Sequence, residues 1–340
     1  MIEASAPVRI CDIGGWTDTW FGGPGRVVNL AVRPGLTVSI RSNAGSGAVR
    51  LELEGDEAGY DIVPGTARVA REPLLEAAID ALPPPDGLGV AVRVRSGVPP
   101  GCGAGTSAAV VVALLGALAA VRCEDRSPRD QAYAAHRLEA DVLGRESGIQ
   151  DQLSAAMGGI NYLEIDPYPE AAVRSLPSWP ELGERLTTVF VGRAHVSSGL
   201  HEQVIANRDG SAASSLARLR DAAEAARDAV LAQDLRAFGQ AMVANTEAQD
   251  SLHADLVGAD ARKVIALAAA RQALGWKVNG AGGDGGSVTT LAATPGAKAA
   301  FDARVASLDP RYRVLPVQLS RAGLVVRGAL EAGDGRPIGG

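Results

Sequence analysis

The segment from Gly89 to Val121 constrains this chain more than any other. Val90, Val92 and Val94 alternate with Ala91, Arg93 and Arg95, the period of a half-buried strand. The strand runs directly into Ser96-Gly97-Val98-Pro99-Pro100-Gly101-Cys102-Gly103-Ala104-Gly105-Thr106-Ser107. Ala108–Val121 follows as an apolar run interrupted at Gly116 and closed by Arg122. That run is shorter than the ~20 residues a membrane span needs. It reads as a buried central helix, with Thr106 or Ser107 placed to cap it.

The glycines at 101, 103 and 105 give the turn a chemical reading. They let the backbone take positive φ and let an anion approach closely. Amides there point inward at the positive end of a helix dipole. Thr106 and Ser107 put hydroxyls where a phosphate-bound Mg²⁺ would sit. The turn holds no lysine and lacks Gly-Lys-Ser/Thr, so it is not a Walker A loop. A tight strand–helix turn with an ordinary cap would use the same residues.

The chain has 340 residues, enough for two domains or one two-lobed unit. Its net charge is −6 and its basic residues are scattered, which gives no electrostatic footprint for nucleic acid. Phosphate handling survives that balance, because a nest of amides binds phosphate without Lys or Arg. Cys11, Cys102 and Cys123 lack the paired spacing of a disulfide scaffold or a zinc site. Met1–Ile10 has no signal-peptide pattern, no stretch reads as a membrane span, and a reducing cytoplasm is the expected compartment.

Strands are expected at Val8–Ile10, Val27–Val32, Leu36–Arg41 and Val49–Glu54, and again at Ile160–Ile165 and Leu186–Val191. Helices are expected from Ser127-Pro128 to about Leu143, near Ile149, and at Ala212–Gln233, Leu235–Leu252 and Ala261–Leu274. Strands close the chain at Val288–Leu291, Tyr312–Val317 and Leu324–Val326. Strands, then helices, then strands again imply an α+β fold. Prolines at 167, 169, 177 and 180 mark a lobe boundary, giving an N-terminal domain of residues 1–170 and a C-terminal one of 171–340.

Three further constellations carry chemistry. Glu139 and Asp151 lie at the end of one expected helix and the start of the next. Phosphoryl transfer needs one carboxylate for Mg²⁺ and a second group to orient or deprotonate the attacking hydroxyl. Asp151 sits in an otherwise uncharged run from Ser147 to Ile160, whereas Glu139 alone could be a surface glutamate. Gly14-Gly15-Trp16-Thr17-Asp18 follows the first strand; an aromatic face beside a carboxylate suits a sugar, and a turn with a core tryptophan would look the same. Gly280-Ala281-Gly282-Gly283-Asp284-Gly285-Gly286 could approach a phosphate or substrate backbone-first, or be a flexible loop.

In this order and spacing the elements resemble the GHMP kinase superfamily, from Pro7 to about Val326. The resemblance implies a two-lobed GHMP kinase fold, with a ribosomal-protein-S5-like N-terminal lobe and a ferredoxin-like C-terminal lobe. It implies ATP and Mg²⁺ as cofactors. Pro99, Gly101, Gly103, Ala104, Gly105, Thr106 and Ser107 would hold the nucleotide, Ser107 and Glu139 the metal, and Asp151 with Arg9 would be catalytic. Gly282 and Gly283 would face substrate.

Gly14–Asp18, Gly148-Ile149-Gln150-Asp151-Gln152 and Gly192–Glu202 resemble a narrower branch of sugar 1-kinases. It contains D-glycero-D-manno-heptose 7-phosphate kinases and L-fucokinases. The compact length resembles the former, which implies a role in capsule or lipopolysaccharide synthesis; Trp16 is closer to the latter. Trp16, Thr17 and Asp18 would then bind the sugar, and Arg193, His195, Ser197, Ser198 and His201 a distal phosphate. Partners would be the sugar and ATP, without nucleic acid or membrane, and a homodimer is compatible with the resemblance. A catalytically dead nucleotide or sugar sensor is the alternative from another class.

Overall fold

The computed structural model describes residues 1–43, 47–66, 70–194, 202, 204–206 and 211–330. The chain is α+β and two-lobed. Among the described residues, the first sheet has nine strands. Its spine is β1 (Ile2–Ile13) paired antiparallel with the long β2 (Gly25–Ser42). β2 serves two neighbours on its other side. Leu36–Ser42 pairs with β5 (Val90–Ser96), and Gly25–Leu30 pairs with β6 (Ile160–Ile165). Beyond β5 lie β3 (Val49–Leu53) and β4 (Asp56–Ile62). Val27, Val28, Leu30, Ala31 and Val32 are buried in succession because β2 is covered on both faces.

The apolar run forms α2 (Thr106–Val121), which packs on β1 and β2 with residues of its whole circumference buried. It is flanked by α1 (Pro73–Ala81), α3 (Pro128–Arg137) and α4 (Gln150–Met157). The second lobe is built on a smaller antiparallel sheet of β8 (Leu186–Phe190), β9 (Gly275–Val278), β10 (Ser287–Leu291) and β11 (Arg313–Leu315). A short α5 (Pro180–Arg185) leads into it. Its long helices α6 (Ser211–Ala232) and α7 (Leu235–Leu252) pack on each other and reach β1, while α8 (Ala259–Ala270) and α9 (Pro295–Leu308) cover its sheet.

Four differences from the expected elements have physical causes. Neither Thr106 nor Ser107 caps α2: Gly105 occupies the N-cap and no side chain satisfies the first amides. The helix expected to reach Leu143 ends at Arg137 and continues as a π-helical turn, Leu138–Val142. β4, α1 and α9 were not anticipated; each is short or weakly patterned. The proline-rich stretch hides β7 (Ala171–Leu176), which pairs with β6. β12 (Gln318–Leu319) and β13 (Val325–Gly328) also return to the first sheet, on β2 and β1. The division expected at 170/171 therefore does not coincide with the change of sheet.

Candidate active site

Within β1, Arg9 is buried and ties three elements together. Its guanidinium donates to both oxygens of Asp151, at 2.8 Å from Nε and 3.1 Å from Nη2, and Nη1 donates to the Gly103 carbonyl. Its backbone N–H donates to the Ala104 carbonyl at 3.0 Å. Burial alone would weaken its charge, but Asp151 and Asp12 outweigh it and hold the guanidinium firmly protonated. Asp151 sits in the first turn of α4 and faces Gly105. Gly105 has φ +68°, and a Cβ there would lie 2.9 Å from Asp151 Oδ2. An uncapped helix N-terminus, a glycine turn and a carboxylate held by arginine thus meet in one cleft of about 230 Å³.

Glu139 reaches the same cleft from the π-helical turn. One such turn inserted at the end of a helix often marks a functional position, because it re-aims a side chain. Glu139 Oε2 accepts from Gln152 Nε2 at 2.8 Å and from Ser147 Oγ at 3.1 Å. Burial and the neighbouring Asp151 push its carboxyl above the usual range. Its Oε1 makes no hydrogen bond among the described residues. Ser107 is exposed on the first turn of α2, on the cleft wall. A carboxylate oxygen and a hydroxyl oxygen lining one cleft are the hard donors Mg²⁺ takes alongside phosphate oxygens and water.

The other end of the cleft is acidic. Asp18 is buried and accepts from the Gln150 N–H at 3.2 Å. Gly148 packs flat on its carboxylate, where a Cβ would lie 1.8 Å from Oδ2. Burial, and then Asp151, push Asp18 up to about 7. Trp16 and Thr19 line the cleft beside it. At the rim, Trp20 Nε1 donates to Glu146 Oε2 at 2.6 Å. Asp12 forms the floor, accepting from the Gly280 N–H at 3.1 Å and pairing with the buried Lys277 at 3.3 Å.

The cleft wall gathers Arg9, Trp16, Asp18, Gly101, Gly103, Ala104, Gly105, Thr106, Ser107, Glu139 and Asp151 of the expected residues. Thr17 stands apart: it is fully buried, and its hydroxyl is spent on Gly14 O at 2.7 Å and on the Arg26 backbone. Pro99, Gly282 and Gly283 are not on the wall, which takes Gly280 and Ala281 from the second glycine run instead. Arg193 is paired with Asp260 at 3.1 Å and Asp284 at 2.8 Å, away from the cleft. His195, Ser197, Ser198 and His201 lie outside the described residues. Asp12, Thr19, Glu146 and Lys277 were not singled out. Asp12 lies two residues before Gly14 and could have been; nothing in the sequence pairs it with Lys277.

Residues 68–159 match the family described as GHMP kinases N terminal domain. The chain is 29% identical over 243 residues to a mevalonate kinase of Methanothermobacter thermautotrophicus, covering 69% of this chain and 73% of that protein. It is 26% identical over 269 residues to the bifunctional fucokinase/GDP-fucose pyrophosphorylase of Arabidopsis thaliana, which is 71% of this chain but spans 25% of that longer protein. The crystal structure of a D-glycero-D-manno-heptose 1-phosphate kinase from Bacteriodes thetaiotaomicron superposes with a TM-score of 0.76 at 19% identity, covering 97% of this chain and 100% of that one. That last likeness is one of fold.

Proposed function

We propose that this chain, whose residues 68–159 match the GHMP kinase N-terminal domain and whose fold is that of solved kinases of this kind, is an ATP-dependent kinase acting on the anomeric C1 hydroxyl of a sugar. The observation that carries the reading is Asp151, gripped by Arg9 beside the uncapped N-terminus of α2. The amides of Gly101–Ser107 would hold the triphosphate of ATP. Ser107 and Glu139 would hold Mg²⁺, which when bound offsets charge on the phosphates.

Asp151 orients the acceptor hydroxyl and takes its proton as the oxygen attacks the γ-phosphorus, and ADP departs. Because an anomeric hydroxyl is more acidic than an ordinary alcohol, a modestly basic carboxylate suffices. Arg9 orients the Asp151 carboxylate through its two hydrogen bonds and adds positive charge where the transferred group develops negative charge. Asp18 and Trp16 bind the sugar.

The acceptor reading follows the charge of the cleft. D-glycero-D-manno-heptose 7-phosphate, leading to the 1,7-bisphosphate for capsule or lipopolysaccharide synthesis, needs cations for its distal phosphate. Among the described residues, Arg9 is the one cation on the wall, against Asp12, Asp18, Glu139, Glu146 and Asp151. That balance supports the second reading, an unphosphorylated sugar such as the substrate class named for the fucokinase relative. A coupled ADP-release assay across free and phosphorylated sugars decides. A higher kcat/KM for heptose 7-phosphate than for L-fucose and other neutral sugars would overturn the neutral-acceptor reading.

The catalytic assignment has its own test. Asp151→Asn should bind ATP normally while kcat falls by ~10²–10⁴, the usual contribution of a positioned base. Near-normal turnover would remove Asp151 from the role.

A further inference from the structure

Behind the carboxylate wall, a strut of buried and half-buried polar groups runs from α3 to the loop that precedes α4. His136 lies in the last turn of α3 and is 2% exposed. Its Nε2 is 2.8 Å from the Tyr168 hydroxyl, and the two rings meet edge to face with centroids 5.5 Å apart. The Tyr168 hydroxyl donates to the Ser147 carbonyl at 2.9 Å. A phenol has one proton, so with that proton on Ser147 the imidazole must donate, and His136 carries its hydrogen on Nε2.

The far end of the strut is chemically occupied. Ser147 Oγ receives from Gln152 Nε2 at 3.3 Å and sits 3.1 Å from Glu139 Oε2. The next residue, Gly148, is pressed against Asp18. The turn that carries Tyr168 is itself anchored to α3: Tyr133 Oη accepts from the Ala171 N–H at 2.8 Å and lies 3.3 Å from the Pro169 carbonyl, to which it donates. Tyr133, His136 and Tyr168 do not line the cleft themselves, yet their contacts reach it at Ser147 and end on two of its carboxylates.

We propose that Tyr168, backed by His136, is a positioning residue that holds the Ser147 segment so that Glu139 presents its unbonded oxygen to the metal. This rests on the reading of Glu139 as a metal ligand given above. Groups that orient a metal-binding carboxylate typically contribute about 10–100-fold to metal affinity or activity.

The test measures Mn²⁺ binding to the enzyme·ADP complex by electron paramagnetic resonance, with ADP binding in the absence of metal measured separately. Tyr168→Phe keeps the ring and loses both hydrogen bonds. It should weaken Mn²⁺ about 10-fold while leaving metal-free ADP binding unchanged. Glu139→Gln is the control for the underlying reading. If Glu139→Gln weakens Mn²⁺ and Tyr168→Phe does not, the strut is overturned and the kinase reading stands. If Glu139→Gln leaves Mn²⁺ binding intact, the metal assignment fails and takes the strut with it.

Should Tyr168→Phe not fold, His136→Ala and His136→Gln carry the same test. Loss of Mn²⁺ affinity in the Ala variant with recovery in the Gln variant, which retains a donor, supports the strut; equal affinity in both overturns it.

Discussion

Asp18 is 3% exposed, with Gly148 against its carboxylate and Asp151 nearby. Its proton is therefore held up to about 7, far above the ordinary ~3.9 of the unfolded chain. Between those values the folded protein binds a proton that the unfolded chain has lost. Stability attributable to Asp18 is thus full below about pH 4 and falls as pH rises to about 7. Asp18→Asn removes the ionisation and keeps an oxygen to accept the Gln150 N–H. We expect a gain in stability over wild type of roughly 1–4 kcal/mol at pH 8 and little at pH 4, seen as a pH-dependent difference in Tm. The gain would accompany a loss of kcat/KM, since a buried charge kept against its own stability cost belongs to function. A Tm difference independent of pH would show that Asp18 is not ionising in this range.

The glycine turn makes a corresponding prediction for an element. Gly105 and Gly87 both have positive φ, +68° and +78°, but a Cβ at Gly87 would meet nothing within 4 Å. Alanine at either site should cost about 1–2 kcal/mol for left-handed backbone. At Gly105 it would also press on Asp151, and a displacement near 1 Å costs about 10²-fold in rate. Gly105→Ala should therefore lose kcat about 10²-fold where Gly87→Ala loses none, at similar cost in Tm. Equal kcat in the two variants would detach the turn from the base.

This element was readable because its signals are local: an alternating strand, spaced glycines and an apolar run within one stretch. Asp151 was readable for the same reason, as a charge in an uncharged run. Thr17 was not, because a hydroxyl in a motif does not say whether it faces a ligand or its own turn. The π-helical turn at Leu138–Val142 was not, because five residues are too few to show a change of helical period in the hydrophobic pattern. The prolines before β7 read as a linker, although the strand they flank is paired with β6.

At the scale of the molecule, the cleft exists because the lobes are bonded across it. Cys11 N–H donates to Asn279 Oδ1 at 3.0 Å, Gly14 N–H to Asn245 Oδ1 at 2.6 Å, and Ser287 Oγ to the Cys102 carbonyl at 2.6 Å. Lys277 is 1% exposed; burial lowers its pKa, and Asp12 opposes that from 3.3 Å across the lobe boundary. Gln249 Oε1 at 3.2 Å and the Val278 carbonyl accept its other protons. Removing one member of such a pair strands the other, at a cost of roughly 3–5 kcal/mol, whereas removing both costs far less. Lys277→Met should lower the urea midpoint steeply. Adding Asp12→Asn, which leaves an oxygen for the Gly280 N–H, should restore most of it, with a coupling energy above about 1 kcal/mol in the double-mutant cycle. The same pair sets the floor under Gly280 and Ala281, so Lys277→Met should also raise KM for the acceptor, and the double variant should return it toward wild type. Strictly additive midpoints would mean that Asp12 takes its compensation from Arg9, 3.9 Å away, and that the lobes are joined without the lysine.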